Sequence, residues 1–211
     1  MHKSGFVNII GNPNVGKSTI MNELVGEKIS IITEKSQTTR HRILGIVSGD
    51  NFQIVYSDTP GIIKPKYKLQ EKMMDFVTTS FEDADIFLYV TDVIENPKKN
   101  IEYIEKLSKV NVPVVCLINK IDLADQQKVE ELQEFWKENL PNAEIYAISA
   151  LEKFNIEGLF DRIIELLPEG PAWFPKDQLT DKQKDLLFLK LLEKKFLKTI
   201  KKKFLILAKL L

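Results

Sequence analysis

Cysteine, histidine, net charge and long apolar runs are all scarce in this chain, and each scarcity removes a class of protein. The single cysteine, Cys116, excludes an internal disulfide, and its setting in Val114-Val115-Cys116-Leu117-Ile118 is that of a core thiol. The two histidines, His2 and His41, have no carboxylate or cysteine cluster at ligand spacing beside them, which argues against a zinc site. No window reaches the roughly 18 uninterrupted apolar residues that a membrane span requires. The N-terminus lacks the charged-then-apolar pattern of a secretory signal, so the expected compartment is the cytoplasm. Thirty basic and thirty acidic residues cancel. Yet residues 182–211 hold ten lysines against Asp185 and Glu193, a local balance of +8 that leaves −8 on the preceding 181 residues. That asymmetry describes an acidic domain joined to a basic tail. There is no internal repeat or low-complexity tract, and 211 residues with 44% hydrophobic content suffice for one full core and a small appendage.

What the chain does have begins at Phe6. The apolar run Phe6-Val7-Asn8-Ile9-Ile10 leads directly into Gly11-Asn12-Pro13-Asn14-Val15-Gly16-Lys17-Ser18, and Thr19 to Val25 follows with helical spacing before Gly26. This reads as strand, phosphate loop, helix. Glycines let the backbone wrap closely round phosphates, its N–H groups point inward, and the helix presents the positive end of its dipole. Lys17 is placed to reach the β- and γ-phosphates and Ser18 to ligate Mg²⁺.

Downstream, residues 27–42 lack a period and read as a loop, while 43–48 and 52–57 form two β-rich runs separated by Gly49-Asp50-Asn51, a hairpin signal. A helix is expected from near Leu69. Strands at 85–91, 113–118 and 144–148 then alternate with helices at 100–109 and 128–139 and a last helix carrying Ile156, Leu159, Phe160, Ile163, Ile164 and Leu167 on one stripe. The expectation is an α/β fold: a mostly parallel, six-stranded sheet with one antiparallel hairpin pair and helices on both faces. The domain is expected over residues 1–167. The proline-rich stretch 168–180 reads as a linker. Thr180 and Gln183 form a capping box that starts a basic amphipathic helix at Asp181, within a third segment, 181–211.

Several further residues complete a nucleotide site. Asp58, at the end of an apolar strand in Asp58-Thr59-Pro60-Gly61, can hold Mg²⁺ through water, and Gly61 offers a backbone N–H to a γ-phosphate. Within Ser36-Gln37-Thr38-Thr39-Arg40 a threonine hydroxyl can complete the metal shell, which would make that loop a switch ordered by one phosphate. Asn119-Lys120-Ile121-Asp122 settles the base: a carboxylate accepts both N1–H and N2–H of guanine, a donor pair adenine lacks. Asn119 either binds the base edge or ties loops together, the Lys120 stem covers the ring face, and in Ser149-Ala150 the Ala150 amide meets guanine O6. These elements fall at the C-terminal ends of strands or in the loops they feed, where open α/β sheets bind ligands.

The set G-N-P-N-V-G-K-S, Q-T-T-R, D-T-P-G, N-K-I-D and S-A, with Q-T-T-R-H-R-I and the linker's P-E-G-P and D-Q-L-T-D, resembles the Era-like family of translation-factor-related P-loop GTPases. The resemblance implies GTP hydrolysis to GDP with Mg²⁺, coupled to a KH domain that binds the 3′ end of 16S rRNA. It also implies association with the 30S precursor and peripheral contact with the inner membrane, by a protein expected to be a monomer. It makes Thr39, beside Thr38, the metal ligand. It gives Asn14 a potassium ion beside the phosphates, with Lys17, Thr39, Gly61 and Asn14 as the catalytic set. Ile62 stands where many small GTPases carry a water-positioning glutamine, so hydrolysis is expected to be slow without a partner, a monovalent ion or backbone help.

A KH domain also requires strands and a G-x-x-G turn, and no glycine occurs after Ile200. Residues 181–211 therefore read as the first helix of a truncated KH domain with a basic, then apolar, tail. That tail reads as an RNA contact, a membrane-surface contact or an orphaned helix. Beside the GTPase reading stand a non-catalytic guanine-nucleotide module and a membrane-surface-associated GTPase.

Overall fold

Strands β1 (Lys3–Gly11), β2 (Ile43–Ser48), β3 (Phe52–Asp58), β4 (Ile86–Asp92), β5 (Val114–Asn119) and β6 (Ala143–Ala147) form one sheet in the order β2-β3-β1-β4-β5-β6. A computed structural model describes residues 1–26, 43–58, 84–99 and 101–174. The chain divides into two units, Met1–Trp173 and Phe174–Leu211, and all described residues but Phe174 belong to the first. The expectations for the 27–42 loop with Thr38 and Thr39, for Thr59, Pro60, Gly61 and Ile62, for a helix near Leu69 and for the basic helix from Asp181 lie outside the described residues.

The expected fold class is borne out. β3, β1, β4, β5 and β6 run parallel, and β2 joins β3 antiparallel through the Gly49-Asp50-Asn51 turn. β4 and β5 are buried along their whole length, as continuous apolar runs must be when helices cover both faces. Helices α1 (Lys17–Val25) and α4 (Ile156–Leu166) cover one face, with Ile20, Leu24, Leu159 and Ile163 in the same core as Val7, Ile9, Leu88 and Val115. Helices α2 (Ile101–Leu107) and α3 (Gln126–Asn139) cover the other, where Leu107, Leu132 and Trp136 meet Phe87, Tyr89 and Cys116. Among the described residues no helix is long and apolar enough to cross a membrane.

Element ends moved for local reasons. Helix α3 starts two residues before its expected position because the Asp125 side chain caps it, accepting from the Lys128 amide at 2.8 Å. β1 reaches back to Lys3 because β3 pairs with it from Phe52 onward, although Lys3-Ser4-Gly5 carries no apolar signal. The chain leaves α4 at Leu167 and then stays on the domain. The Ser4 amide donates to Pro168 O at 3.0 Å, the Gly170 amide to His2 O at 3.1 Å, and Lys3 Nζ to the Glu165 carbonyl at 2.7 Å. Trp173 ends this contact against Phe6, ring centroids 5.2 Å apart.

Cys116 is fully buried, and desolvation first, with the Glu95 charge adding, raises its thiol far above the usual range. Folded protein should therefore leave this thiol unlabelled by a disulfide reagent over an hour and release one equivalent after denaturation; full labelling of native protein would contradict the packing.

Candidate functional site

The strand register brings the sequence-predicted residues to one edge. Ile9 pairs with Asp58, Gly11 with Val90, Asp92 with Asn119 and Ile118 with Ala147. The phosphate loop, the end of β3, the Asn119–Asp122 segment and the Ser149–Ala150 turn thus all leave the C-terminal side of the sheet.

The loop from Asn12 to Gly16 turns through left-handed backbone at Asn14, φ 67°, and Gly16, φ 97°. Only glycine fits the second position comfortably, since a Cβ on Gly16 would lie 2.3 Å from Asn119 Nδ2. Val15 is buried as the loop's anchor, while Asn14, Ser18 and Thr19 are exposed. Lys17 folds back, its ammonium donating to Gly11 O at 3.1 Å and Asn12 O at 2.7 Å. α1 begins at Lys17 with no acidic residue in its first turn, so the helix itself sets no carboxylate against an anion at its positive end.

The Asn119–Asp122 segment holds the phosphate loop from outside. Asn119, 2% exposed, donates to Val15 O at 2.9 Å and accepts from the Ala150 amide at 3.1 Å. Of its two expected roles, these contacts are those of a tie between loops. They also occupy the Ala150 amide, which was expected to meet a base. Lys120, in left-handed backbone at φ 62°, reaches Asn14 O at 2.8 Å and Asp92 Oδ2 at 2.5 Å. Asp122 lies in a short 3-10 turn, Ile121–Leu123, exposed, and accepts from Ser149 Oγ at 2.5 Å. The turn after β6 is closed by Ser149 and Phe154, whose amides donate to each other's carbonyls at 3.3 and 2.9 Å.

Two carboxylates here escaped the sequence reading. Asp92, nearly buried, caps the loop after β4 by accepting from the amides of Ile94 at 3.0 Å and Glu95 at 2.8 Å, besides pairing with Lys120. Glu95 accepts from Asn12 Nδ2 and from Thr91 Oγ1. Tyr89, beneath this loop, is pushed far above its ordinary range by burial first, and then by Cys116 and the Glu95 charge.

Ser18 stands in the first turn of α1 and Asp58 ends β3, and hydroxyl and carboxylate oxygens are hard donors of the kind that suits Mg²⁺. Among the described residues no group of three or more His, Cys, Asp or Glu could hold a metal ion. A divalent ion held by Ser18 and Asp58 would need further oxygens, such as those of a phosphate.

The profile of the family described as 50S ribosome-binding GTPase matches residues 6–120. GTPase Era of Clostridium kluyveri is 42% identical over 196 residues, covering 92% of this chain and 67% of its own length. GTPase Era of Alkaliphilus metalliredigens is 43% identical over 195 residues, covering 92% of this chain and 66% of its own. The chain thus spans about two thirds of the length of these relatives. Among solved structures, Era in complex with MgGDPNP and nucleotides 1506–1542 of 16S ribosomal RNA superposes with TM-score 0.72 at 40% identity, over 86% of this chain and 62% of that one. Aquifex aeolicus Era bound to GDP·AlF4⁻ gives TM-score 0.71 at 40% identity, over 85% and 62%. With the same fold and above 40% identity to curated relatives along nine-tenths of its length, this chain belongs to the Era family of GTPases.

Proposed function

We propose that this chain binds GTP and GDP at the sheet edge, hydrolyses GTP with Mg²⁺, and acts in 30S assembly through contact with 16S rRNA. The observation that carries the nucleotide reading is the phosphate loop, closed at Gly16 and gripped through Val15 and Asn14 by Asn119 and Lys120. In this reading Gly11 to Thr19 cradle the phosphates. Lys17 turns from its carbonyls to the β- and γ-phosphates. Ser18, Asp58 and Thr39 hold Mg²⁺, and Thr59, Pro60 and Gly61 flank the γ-phosphate. Asp122, with Asn119 and Lys120, selects guanine, and Ser149 and Ala150 close over the base.

Mg²⁺, when bound, neutralises charge that builds on the β,γ-phosphate oxygens. A water oxygen attacks the γ-phosphorus, the bond to the bridging oxygen breaks, and GDP departs with that electron pair. Ile62 has no group to orient the water, so turnover rests on backbone donors and on a monovalent ion at Asn14. The RNA reading is supported by the relative bound to 16S rRNA and by the +8 balance of residues 182–211.

Phosphate release from GTP in Mg²⁺, with potassium and then sodium, tests the chemistry. Potassium is expected to raise turnover roughly tenfold over sodium. Equal rates would remove the ion from Asn14, and release no greater than background would leave a guanine-nucleotide module without catalysis. Anisotropy of a labelled 3′-terminal 16S rRNA oligonucleotide tests the partner: binding should weaken steeply with salt, and absence of binding at low salt would overturn the RNA reading.

A further inference from the structure

We infer that Glu95 is a positioning residue of the phosphate loop, a clamp that slows nucleotide release by fixing Asn12 from outside the site. The inference rests on the nucleotide reading above. Among the described residues, side chains from outside the loop grip it at Val15, Asn14 and Asn12. Two grips come from the guanine segment, through Asn119 on Val15 and Lys120 on Asn14. The third belongs to no nucleotide motif: Glu95 Oε2 accepts from Asn12 Nδ2 at 2.5 Å.

The clamp is itself held rigidly. The second carboxylate oxygen, Oε1, accepts from Thr91 Oγ1 at 2.6 Å, and the Glu95 amide donates to Asp92 Oδ1 at 2.8 Å. Thr91 and Asp92 end the fully buried strand β4, so the loop that carries the carboxylate is tied to the end of the core. Its grip reaches the chemistry in one step. Asn12 is 2% exposed, and its carbonyl accepts from Lys17 Nζ at 2.7 Å. Fixing the Asn12 side chain therefore fixes the peptide that parks the phosphate-reaching ammonium. A carboxylate bonded to a phosphate loop would repel bound phosphates, so the contact with Asn12, and not the charge, accounts for Glu95 here.

That contrast supplies the test, dissociation of a fluorescent GDP from the full chain chased with excess GDP. Glu95→Gln removes the charge and keeps both contacts, because the Thr91 hydroxyl can reverse to accept from the new amide while Gln Oε1 accepts from Asn12. Glu95→Ala removes both. The clamp predicts dissociation about tenfold faster in Glu95→Ala, the loss of one charge-assisted hydrogen bond, and within threefold of wild type in Glu95→Gln. Asn12→Ala removes the same contact from the other side and should match Glu95→Ala. The double variant should be no faster than the faster single one, since both delete the Glu95–Asn12 contact. Release within twofold of wild type in both alanine variants, additive effects in the double, or slower release in both Glu95 variants would each overturn the clamp. Wild-type protein that retains no GDP would overturn the nucleotide reading instead.

Discussion

Asp122→Asn is expected to lose guanine nucleotides and gain xanthine nucleotides. In the proposed site the carboxylate, carried on the 3-10 turn Ile121–Leu123, would set its two acceptor oxygens against the N1–H and N2–H donors of guanine. Asparagine keeps one acceptor and sets an NH₂ against the second donor. A charge-assisted hydrogen bond contributes about 1.5–3 kcal/mol, so its loss alone should lower GDP affinity about 10- to 150-fold, and the opposed NH₂ should lower it further. Xanthine carries a carbonyl where guanine carries the exocyclic amine, and the new amide can donate to it. The fold should not suffer, because Ser149 Oγ, which donates to Asp122 Oδ1 at 2.5 Å, can donate equally to an amide oxygen. Competition of GTP, ATP and xanthosine triphosphate against fluorescent GDP reads the switch. An unchanged order of preference, with an unchanged thermal midpoint, would remove Asp122 from base selection.

How much of this was readable beforehand differs residue by residue. The described strands and helices followed largely from the apolar pattern, because β4 and β5 are apolar up to Thr91, Asp92 and Asn119 at their ends and α4 carries its stripe on one face. The start of β1 did not, since Lys3, Ser4 and Gly5 are held by partners remote in the chain: β3 on one side and residues 168–171 on the other. Prolines announce that a helix stops, as at Leu167, but nothing local announces where the following chain docks. The same distinction runs through the site. Asn119 and Lys120 stood out because a strand and a spacing pattern frame them. Asp92 ends a strand and Glu95 follows it, yet an Asp followed three residues later by a Glu is ordinary loop composition. Their roles exist only in the pairing of β4 with β1 and β5, which sets Glu95 beside Asn12 and Asp92 beside Lys120.

Gly16→Ala should cripple the site while leaving most of the sheet intact. At φ 97° an alanine already meets a backbone cost of about 1–2 kcal/mol, and its Cβ would stand 2.3 Å from Asn119 Nδ2. Asn119 is 2% exposed and anchored at both ends, on Val15 O at 2.9 Å and the Ala150 amide at 3.1 Å, so it can yield only by giving up buried hydrogen bonds. Each group left unpaired adds about 1–3 kcal/mol. The strain falls on the phosphate loop and on the tie between it and the base loops, so GDP affinity should drop at least about 100-fold, with the denaturation midpoint of nucleotide-free protein lowered as well. Substituting Asn119 in the same chain separates the two causes. If the clash dominates, Gly16→Ala with Asn119→Ser will be no less stable than the worse single variant, because the shorter side chain vacates the space the new methyl needs. If backbone strain at φ 97° dominates, the two losses will add. A Gly16→Ala protein that binds GDP within threefold of wild type would show that the loop can open at Gly16 at little cost, contrary to the buried hydrogen bonds that hold Asn119 in place.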